Sequence, residues 1–213
     1  PCSNALIEAL ACGLPAVYEL TPEIRNLTKI TNMHLAAAGA PLFATLDVLQ
    51  EQLVRFDVDY IVAHNGENFD KPFLKAAIAG SEIGYPGIFE LPWLDTKEDV
   101  VYPPDCFYTN LMYVAAYFGF LNPFPHAALF DAMTTLKVLE QFDVAQVAAR
   151  AAQPWAVIRA MVDYDDRDKA KARRYYWETL GDKKYPKCWV KKVKECDVEK
   201  EMEGAPFRVV KIA

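Results

Sequence analysis

The stretch that most constrains the fold is DYIVAHNGENFD, from Asp59 to Asp70. The apolar run from Tyr60 to Ala63 is typical of a buried β-strand. Asn65-Gly66 follows at once and indicates a turn, because Asn and Gly tolerate a left-handed backbone. A helix is predicted from about Phe69 onward. A strand that passes through a tight turn into a helix predicts a fold in which helices are layered on a sheet.

Further strands and helices alternate along the chain. Apolar residues at a helical period predict a helix in ATLDVLQEQLVRF, and NLMYVAAYFGFL predicts another that ends near Gly119. GIFELPWLDT predicts a strand, whereas TPEIRNLTKITNMHLAAAGAPLF predicts mainly loop with short helical turns. This alternation is typical of the α/β class.

A histidine and an aspartate lie at the start of a later helix, in PHAALFDAMTTLKVLEQF. Pro123 and Pro125 place His126 in the loop before the helix, and Asp131 lies near the helix N-terminus, where the dipole favours a carboxylate. Asp70 holds the same position in its own helix. For each motif alone, an ordinary carboxylate in the first helical turn is the simpler explanation. Together, they are expected to converge on one edge of the sheet, where paired carboxylates bind Mg²⁺ or Mn²⁺ and a histidine can deprotonate metal-bound water.

Apolar residues recur at helical spacing in both of these helices, which predicts one buried face for each. The residues expected in the core are Leu129, Ala132, Leu136 and Leu139 in the later helix, and Phe69, Phe73 and Ala77 in the earlier one.

Two of these segments resemble motifs of a known family. VAHNGENFDKPFL and HAALFDAMTTLKVL resemble the second and third motifs of the DEDDh, or DnaQ-like, 3′–5′ exonucleases. LTPEIRNLTKITNMHLAAAGAPLFATLDVL resembles the segment before the second motif, and PWLDT resembles the next strand, with Asp95 at its end. The resemblance covers roughly residues 19–145. It implies a ribonuclease-H-like mixed sheet flanked by helices, in an exonuclease-like domain over residues 19–152.

The resemblance also implies a reaction and a set of roles. The reaction would remove nucleotides from DNA 3′ ends with two Mg²⁺ or Mn²⁺ ions, in phage or bacterial DNA metabolism. Asp70 and Asp131 would ligate the metals, and His126 would be the general base. The groove for the 3′-terminal nucleotide would be lined by His64, Asn65 and Phe69.

Two features depart from the family pattern. Three residues separate His64-Asn65 from Phe69-Asp70, where the family more often has two. The first acidic motif, an Asp-x-Glu on the first strand, is absent ahead of Thr21, and neither Glu8 nor Glu19 matches it. Because two of the four acidic ligands are missing, we expect weak metal binding and loss of hydrolysis. The alternative function is a nuclease fold that grips nucleic acid without cutting it.

Residues 1–18, PCSNALIEALACGLPAVY, differ from the rest. They resemble the nucleotide-sugar-binding segment of GT-B glycosyltransferases, which implies a donor contact for Glu8 and leaves a glycosyltransferase fragment as a further alternative. A helix–strand pair with a solvent-facing Glu8 is the simpler explanation. We expect this segment to be foreign to the nuclease.

Charge divides the chain into two parts. Residues 1–158 hold 8 Lys/Arg and 18 Asp/Glu, whereas residues 159–213 hold 15 Lys/Arg and 11 Asp/Glu, within a total net charge of −6. The acidic part suits a metal site and the basic part suits nucleic acid. Residues 159–213 therefore predict a separate module, a small α+β unit of marginal stability on its own.

The basic module mixes cations with aromatic rings. From Arg167 to Lys194 there are 11 Lys/Arg and 3 acids. Cations attract phosphates, and exposed rings stack on unpaired bases. The alternative, equally weighted, is that the rings form the module's own core. The expected nucleic-acid patch comprises Lys169, Lys171, Arg173, Arg174, Trp177, Lys191 and Lys192.

Composition bounds the remaining possibilities. The five cysteines form no CxxC pair, which favours free thiols in a reducing cytoplasm over disulfides or zinc. No apolar stretch approaches the ~20 residues of a membrane helix, and no signal peptide is visible, so no membrane partner is expected. The expected partners are single-stranded DNA 3′ ends and replication or repair proteins.

Overall fold

The computed structural model of the chain describes residues 22–79, 84–179 and 187–212. The predictions made for residues 1–18 and for Glu19 lie outside these ranges. The chain divides into two compact units, Pro1–Ala151 and Ala152–Ala213, which we call the first and second units. Within the described ranges, no helix combines the length and apolar character needed to cross a membrane.

The first unit is mainly helical, with one pair of strands among its described residues. In chain order its elements are α1 (Pro22–Thr28), α2 (Asn32–Ala38), α3 (Leu42–Arg55), β1 (Ile61–Ala63), α4 (Asp70–Ala77), α5 (Pro86–Glu90), β2 (Trp93–Asp95), α6 (Leu111–Tyr117), α7 (Ala128–Leu139) and α8 (Val144–Ala151).

The strands β1 and β2 run parallel, and helices cover both faces of the pair. Ile61 lies opposite Trp93, and Val62 lies opposite Leu94. Ile61 and Trp93 pack against a core formed with α3, α4 and α5. Because successive side chains point to opposite faces of a strand, Leu94 faces the other way, where it packs with Leu139 of α7 and residues of α8. The result is a sheet between two helical layers, as the α/β class predicts.

The structure corrects two segment predictions. GIFE is part of helix α5 and not of a strand, because Pro86 occupies the first helical turn, where its missing N–H costs no hydrogen bond. The segment predicted as mainly loop forms α1 and α2. At the start of α2, the backbone N–H of His34 donates to the Thr31 side chain and His34 Nδ1 accepts from the Thr31 N–H, which makes a capping box.

The predicted buried faces of α4 and α7 are only partly correct. Leu139 is buried as predicted, and Ala77 packs against the core of α3, α4 and α5, but other predicted core residues are exposed. Phe73, Leu129 and Leu136 are 42%, 68% and 53% exposed, whereas Asp70 and Asp131 are buried. In α7 the orientation is set by the C-terminal half, where Val138 and Leu139 enter two apolar clusters. Thr134 and Thr135 share that inward face, and their hydroxyls donate to carbonyls of the same helix, so their burial leaves the hydroxyls paired. Both helices therefore turn their carboxylate inward.

The second unit combines an antiparallel sheet with short helices. Its elements are β3 (Trp155–Met161), a 3₁₀ turn (Tyr164–Asp166), α9 (Arg167–Ala172), β4 (Tyr176–Glu178), β5 (Cys188–Lys194), a 3₁₀ turn (Glu195–Asp197), α10 (Val198–Gly204) and β6 (Arg208–Lys211). The strand order is β4-β5-β3-β6. Alternate residues of β3, among them Ile158, pack with Tyr175, Val198 and Val209 into a core. Among the described residues, Cys106, Cys188 and Cys196 are free cysteines.

Candidate functional site

The turn after β1 is fastened by a buried carboxylate from β2. Asp95 accepts the backbone N–H groups of Asn65 at 2.7 Å, Glu67 at 3.3 Å and Lys97 at 3.0 Å. This contact is possible because parallel strands end on the same edge of a sheet. Burial raises the pKa of Asp95, and these three N–H groups oppose that rise. Asp95 therefore fixes the backbone that leads from β1 into α4.

The same turn is closely packed. Asn65 has a left-handed backbone with φ 73°. A Cβ on Gly66 would overlap the Cβ of Ala63 and would lie 3.2 Å from the Trp93 ring. The Asn65 side chain accepts a hydrogen bond from Lys97 Nζ at 2.7 Å. The Asn-Gly sequence is thus required both by the left-handed step and by the lack of space.

Asp70 is the first residue of α4 and is 7% exposed. The turn delivers its carboxylate to the inner side of the helix. Phe69 precedes it, half-buried, with its ring centroid 6.0 Å from that of Phe73. The aromatic pair therefore lies along the outer side of the helix start, while the carboxylate faces inward.

Asp131 lies in the first turn of α7 and is 6% exposed. Asn122 Nδ2 donates to its Oδ1 at 2.8 Å. Burial raises the pKa of Asp131, whereas the backbone N–H of His126, the charge of its ring and the Asn122 amide all lower it. These contacts hold the carboxylate in one orientation and partly stabilise its ionised form.

Asp70 and Asp131 line the same cavity, which has a volume of about 460 Å³. His64 lines it as well, at the end of β1. The rest of its wall includes apolar side chains from α3, β1 and α7. Two helices and one strand thus bring two carboxylates and an imidazole to one partly open cavity.

His64 is a buried, neutral histidine. Its Nδ1 lies 2.9 Å from the Thr96 hydroxyl oxygen, in hydrogen-bond contact. Burial lowers its pKa to about 4, with a smaller opposing contribution from the Thr109 backbone and a further lowering by the positive charge of Lys97. At neutral pH the ring therefore carries no charge into the cavity.

His126 lies beside the cavity and not in its wall. It is half-buried in the loop before α7, as predicted, and has a left-handed backbone with φ 70°. Its link to the site is through Asp131, which its backbone N–H contacts. Among the described residues that line the cavity, the sequence-predicted site residues are His64, Asp70 and Asp131.

Two carboxylates, those of Asp70 and Asp131, line this cavity. Across residues 22–79, 84–179 and 187–212, no three His, Cys, Asp or Glu side chains are grouped as a metal site requires. The part of the chain that the structure describes therefore offers Asp70 and Asp131 as a partial ligand set.

The predicted basic patch of the second unit is strongly paired with acids. Arg173 and Lys191 both contact Glu201, at 2.8 Å and 2.9 Å. Lys169 pairs with Asp166, and Lys171 pairs with Asp168 at 3.0 Å. The pairs of α9 are exposed and thus weak, whereas the Glu201 side chain is only 11% exposed. Four of the patch cations are exposed: Lys169, Lys171, Arg174 and Lys192.

The patch is also divided between two faces of the sheet. Lys191 and Lys192 are consecutive in β5 and so point to opposite faces. Lys192 lies over the Trp155 ring at 4.6 Å, whereas Lys191 lies over Tyr175 at 5.6 Å. The structure therefore separates Lys192 from the other cations.

The aromatic rings of this unit are divided between its core and its surface. Tyr175 is 3% exposed and belongs to the core. Trp177 is 56% exposed and meets Trp189 edge to face at 5.4 Å. Lys171 Nζ lies 5.8 Å from the Trp189 ring centroid. Trp177, Lys171 and Trp189 form a basic aromatic cluster, in which Trp177 and Lys171 are exposed and Trp189 is partly buried against the core. Tyr175 lies in the core itself.

Several residues that build the site were not predicted from the sequence. Asn122 orients Asp131 and Thr96 contacts His64, but neither lies at a fixed spacing from its partner. The sequence predicts Asp95 only as the end of a strand, although a carboxylate at a strand end, together with an Asn-Gly turn after a neighbouring strand, is a usable signal. Among known proteins, no family model matches the chain, and no curated protein matches it.

Proposed function

We propose that the chain is a 3′–5′ exonuclease that hydrolyses phosphodiester bonds at DNA 3′ ends with the help of divalent metal ions. The observation that supports this proposal is that Asp70 and Asp131, from different helices, are both buried and line one cavity. Buried carboxylates near each other disfavour ionisation unless a cation or hydrogen bonds compensate. A cavity that collects two of them is therefore unfavourable for folding alone and suited to a divalent cation.

The residues present fit such a cation in kind. Mg²⁺ and Mn²⁺ prefer carboxylate oxygens, and Asp70 and Asp131 would hold the ion. When bound, the ion would lower the pKa of water and stabilise charge that develops on the phosphate. His64 suits a position beside substrate because burial keeps its pKa low and its ring uncharged.

The proton would be taken by His126. Its backbone N–H contacts Asp131, which places the residue beside that carboxylate. Asn122 would hold Asp131 in place throughout, since its amide already donates to one carboxylate oxygen. The basic aromatic cluster of Lys171, Trp177 and Trp189 would hold the single strand by charge and stacking.

A second candidate function is binding of nucleic-acid ends without cleavage. It is favoured by the ligand count, because the described residues hold no group of three or more metal-ligating side chains. Two carboxylates would bind a cation weakly and leave the reaction unsupported. The basic aromatic cluster would act in the same way under either function.

One experiment separates the two. The full chain is incubated with 5′-labelled single-stranded DNA and Mn²⁺, and the products are resolved on a denaturing gel. Exonuclease action is expected to give a ladder shortened from the 3′ end, which is lost in Asp131→Asn and on addition of EDTA. Asp59→Asn is the matched control, because Asp59 is an exposed carboxylate of the same unit outside the cavity.

The other outcomes assign the alternative or reject both. Retention of the DNA on a native gel without shortening supports the binding function. Shortening that persists in Asp131→Asn would place the activity elsewhere, and absence of both binding and cleavage would reject both functions.

A further inference from the structure

The turn after β1 contains the one Asn-Gly dipeptide of the chain, Asn65-Gly66. Asparagine side chains are thermally labile in proteins. They are most labile before glycine, because a residue without Cβ does not shield its own backbone nitrogen from the side chain that precedes it. The dipeptide directly follows His64, which lines the cavity, so a reactive peptide group lies beside the candidate site.

The reaction of such a dipeptide releases ammonia and then consumes water. The Gly66 nitrogen gives up its proton and bonds to Cγ of Asn65, and the bond from Cγ to Nδ2 breaks as ammonia leaves. Water then opens the resulting cyclic imide at one of its two carbonyl carbons. One opening leaves aspartate at position 65, and the other leaves isoaspartate, whose backbone runs through the former side chain.

Hydrogen bonds on both sides of this peptide group hold its backbone in place. Ring closure requires the Gly66 nitrogen and Cγ of Asn65 to approach each other by rotation of the peptide or of the side chain. The Phe69 N–H donates to Asn65 O at 3.0 Å, and the Lys71 N–H donates to Gly66 O at 2.9 Å. The Asn65 N–H donates to Asp95 Oδ1 at 2.7 Å. Rotation of the peptide therefore breaks bonds that the turn makes.

Lys97 restrains the Asn65 side chain. Its Nζ donates to Asn65 Oδ1 at 2.7 Å. Its backbone N–H donates at 3.0 Å to Asp95 Oδ1, the same oxygen that accepts the Asn65 N–H. A hydrogen bond from a charged donor is stronger than one between neutral groups. Asp95 and Lys97 thus fix both the backbone and the side chain of Asn65.

The turn has no space for the isoaspartate product. Isoaspartate adds one carbon to the backbone at position 65. Even a Cβ on Gly66 would overlap the Cβ of Ala63 and would lie 3.2 Å from the Trp93 ring. The extra carbon must therefore displace the ends of the turn, where His64 and Asp70 both line the cavity.

We propose that Asn65 is a latent deamidation site, which Asp95 and Lys97 keep intact in the folded chain. Release of the Lys97 contact frees the side chain to rotate, and the amide is then lost. The isoaspartate that forms displaces His64 and Asp70 from the cavity wall. The inference goes beyond the proposed function, because neither metal nor nucleic acid takes part.

The first test compares the folded chain with a blocked peptide of residues 62–70, VAHNGENFD, at the same mildly alkaline pH. Peptide mapping by mass spectrometry follows the exchange of the Asn65 amide for a carboxyl group. Loss of the amide is expected to be at least a hundredfold slower in the folded chain, and in urea the chain should approach the rate of the peptide. Equal rates in the folded chain and the peptide, or a slow rate that persists in urea, would overturn protection by the fold.

Three lysine variants separate the Lys97 contact from general destabilisation. Lys97→Met is expected to accelerate amide loss at least tenfold, beyond any change in the global unfolding constant measured in urea. Lys97→Arg keeps a charged donor and is expected to react near the wild-type rate. Lys71→Met is the matched control, since the Lys71 ammonium contacts Glu67 of the same turn.

Circular dichroism shows that the variants are folded, and the comparison with the peptide does not depend on them. An unchanged rate in Lys97→Met, or equal acceleration in Lys71→Met, would overturn the role of Lys97.

The effect of the product is measured on the modified chain itself. Chain that has lost the Asn65 amide in urea is refolded, and its isoaspartate form is separated by chromatography. This form is expected to unfold at a lower Tm than Asn65→Asp, which keeps an oxygen for the Lys97 ammonium. Equal Tm values for the two would overturn the displacement of the turn.

Discussion

At the scale of single residues, His64 couples protonation to stability. Its pKa is lowered to about 4 in the folded chain by burial, below the value of about 6.5 expected when unfolded. The unfolded chain therefore binds an extra proton between these values, so folding loses stability as pH falls from about 6.5 toward 4. Above pH 6.5 the residue has no pH-dependent effect.

His64→Asn is expected to flatten this part of the stability profile. Asparagine is uncharged but can still reach the Thr96 hydroxyl. Urea unfolding at pH 7 and pH 4.5 should show that the wild type loses about 2–3 kcal/mol more than the variant over this interval. Equal losses in the two proteins would show that His64 is not buried in its neutral form.

Asp131 gives a second prediction at this scale. Burial raises its pKa, so the ionised carboxylate at neutral pH opposes folding unless a cation is bound. Asp131→Asn is thus expected to raise Tm without metal. Mn²⁺ at ten times its Kd should stabilise the wild type by about 1.4 kcal/mol and leave the variant unchanged.

Differential scanning fluorimetry with and without Mn²⁺ measures both effects. Asp59→Asn serves as the control, since it removes an exposed carboxylate of the same unit. Identical Mn²⁺ shifts in the wild type and Asp131→Asn would remove Asp131 from the metal site.

At the scale of elements, the β1–α4 turn depends on one glycine. A side chain on Gly66 would collide with Ala63 and Trp93, both of which lie in packed strands. Gly66→Ala is therefore expected to lower the free energy of unfolding by about 1–3 kcal/mol, as overpacking does. Gly84→Ala is the control because nothing lies near its added methyl. Urea unfolding compares the two, and equal stability would contradict the close packing of the turn.

Glu201 ties α10 to the end of α9 and to β5. Its contacts with Arg173 and Lys191 lower its pKa despite burial, so its contribution is present above about pH 4.5 and is lost as pH falls. Glu201→Gln is expected to destabilise the chain by about 1–3 kcal/mol at pH 7. The same change frees two cations, so affinity for single-stranded DNA should rise. Glu199→Gln, which changes an exposed residue of α10, should alter neither the stability nor the affinity for single-stranded DNA.

The sequence predicts elements better than it predicts their orientation. The βα unit after Asp59 and the helix after His126 follow from turn residues and periodicity, which act locally. The inward faces of α4 and α7 do not follow from the sequence in this way. Periodicity shows where apolar residues recur, but the rotation of α7 is fixed by the tertiary contacts of Val138 and Leu139. That Asp70 and Asp131 line one cavity agrees with their matching places at helix starts. The role of Asn122 depends on the path of a loop, for which the sequence holds no pattern.

At the scale of the whole molecule, the distribution of charge bears on the proposed binding of nucleic acid. The net charge is −6, yet the second unit carries the basic aromatic cluster of Lys171, Trp177 and Trp189. Binding of single strands through this cluster should weaken with salt, because each phosphate contact releases counterions. The overall negative charge also opposes binding at low ionic strength, where screening is weak.

Lys171→Ala is expected to reduce the slope of log affinity against log salt by about 0.7, the contribution of one phosphate contact on a single strand. Its exposed pair with Asp168 is weak and does not prevent this contact. Fluorescence anisotropy across a salt series gives the slope. Lys200→Ala, an exposed cation outside the cluster, should leave it unchanged. Equal slopes for both variants would exclude the cluster as the binding surface.

The left-handed backbones of Asn65 and His126 have a consequence for how such a chain can change over generations. A residue other than glycine costs on the order of 1 kcal/mol in this conformation, and glycine adopts it without that cost. At both positions, one substitution to glycine is thus available that relieves the backbone and removes the side chain. At position 65 it would also remove the hydrogen bond from Lys97, whereas at position 126 it would remove the imidazole beside Asp131. Selection for a relaxed backbone alone would therefore favour loss of the histidine that the proposed reaction needs.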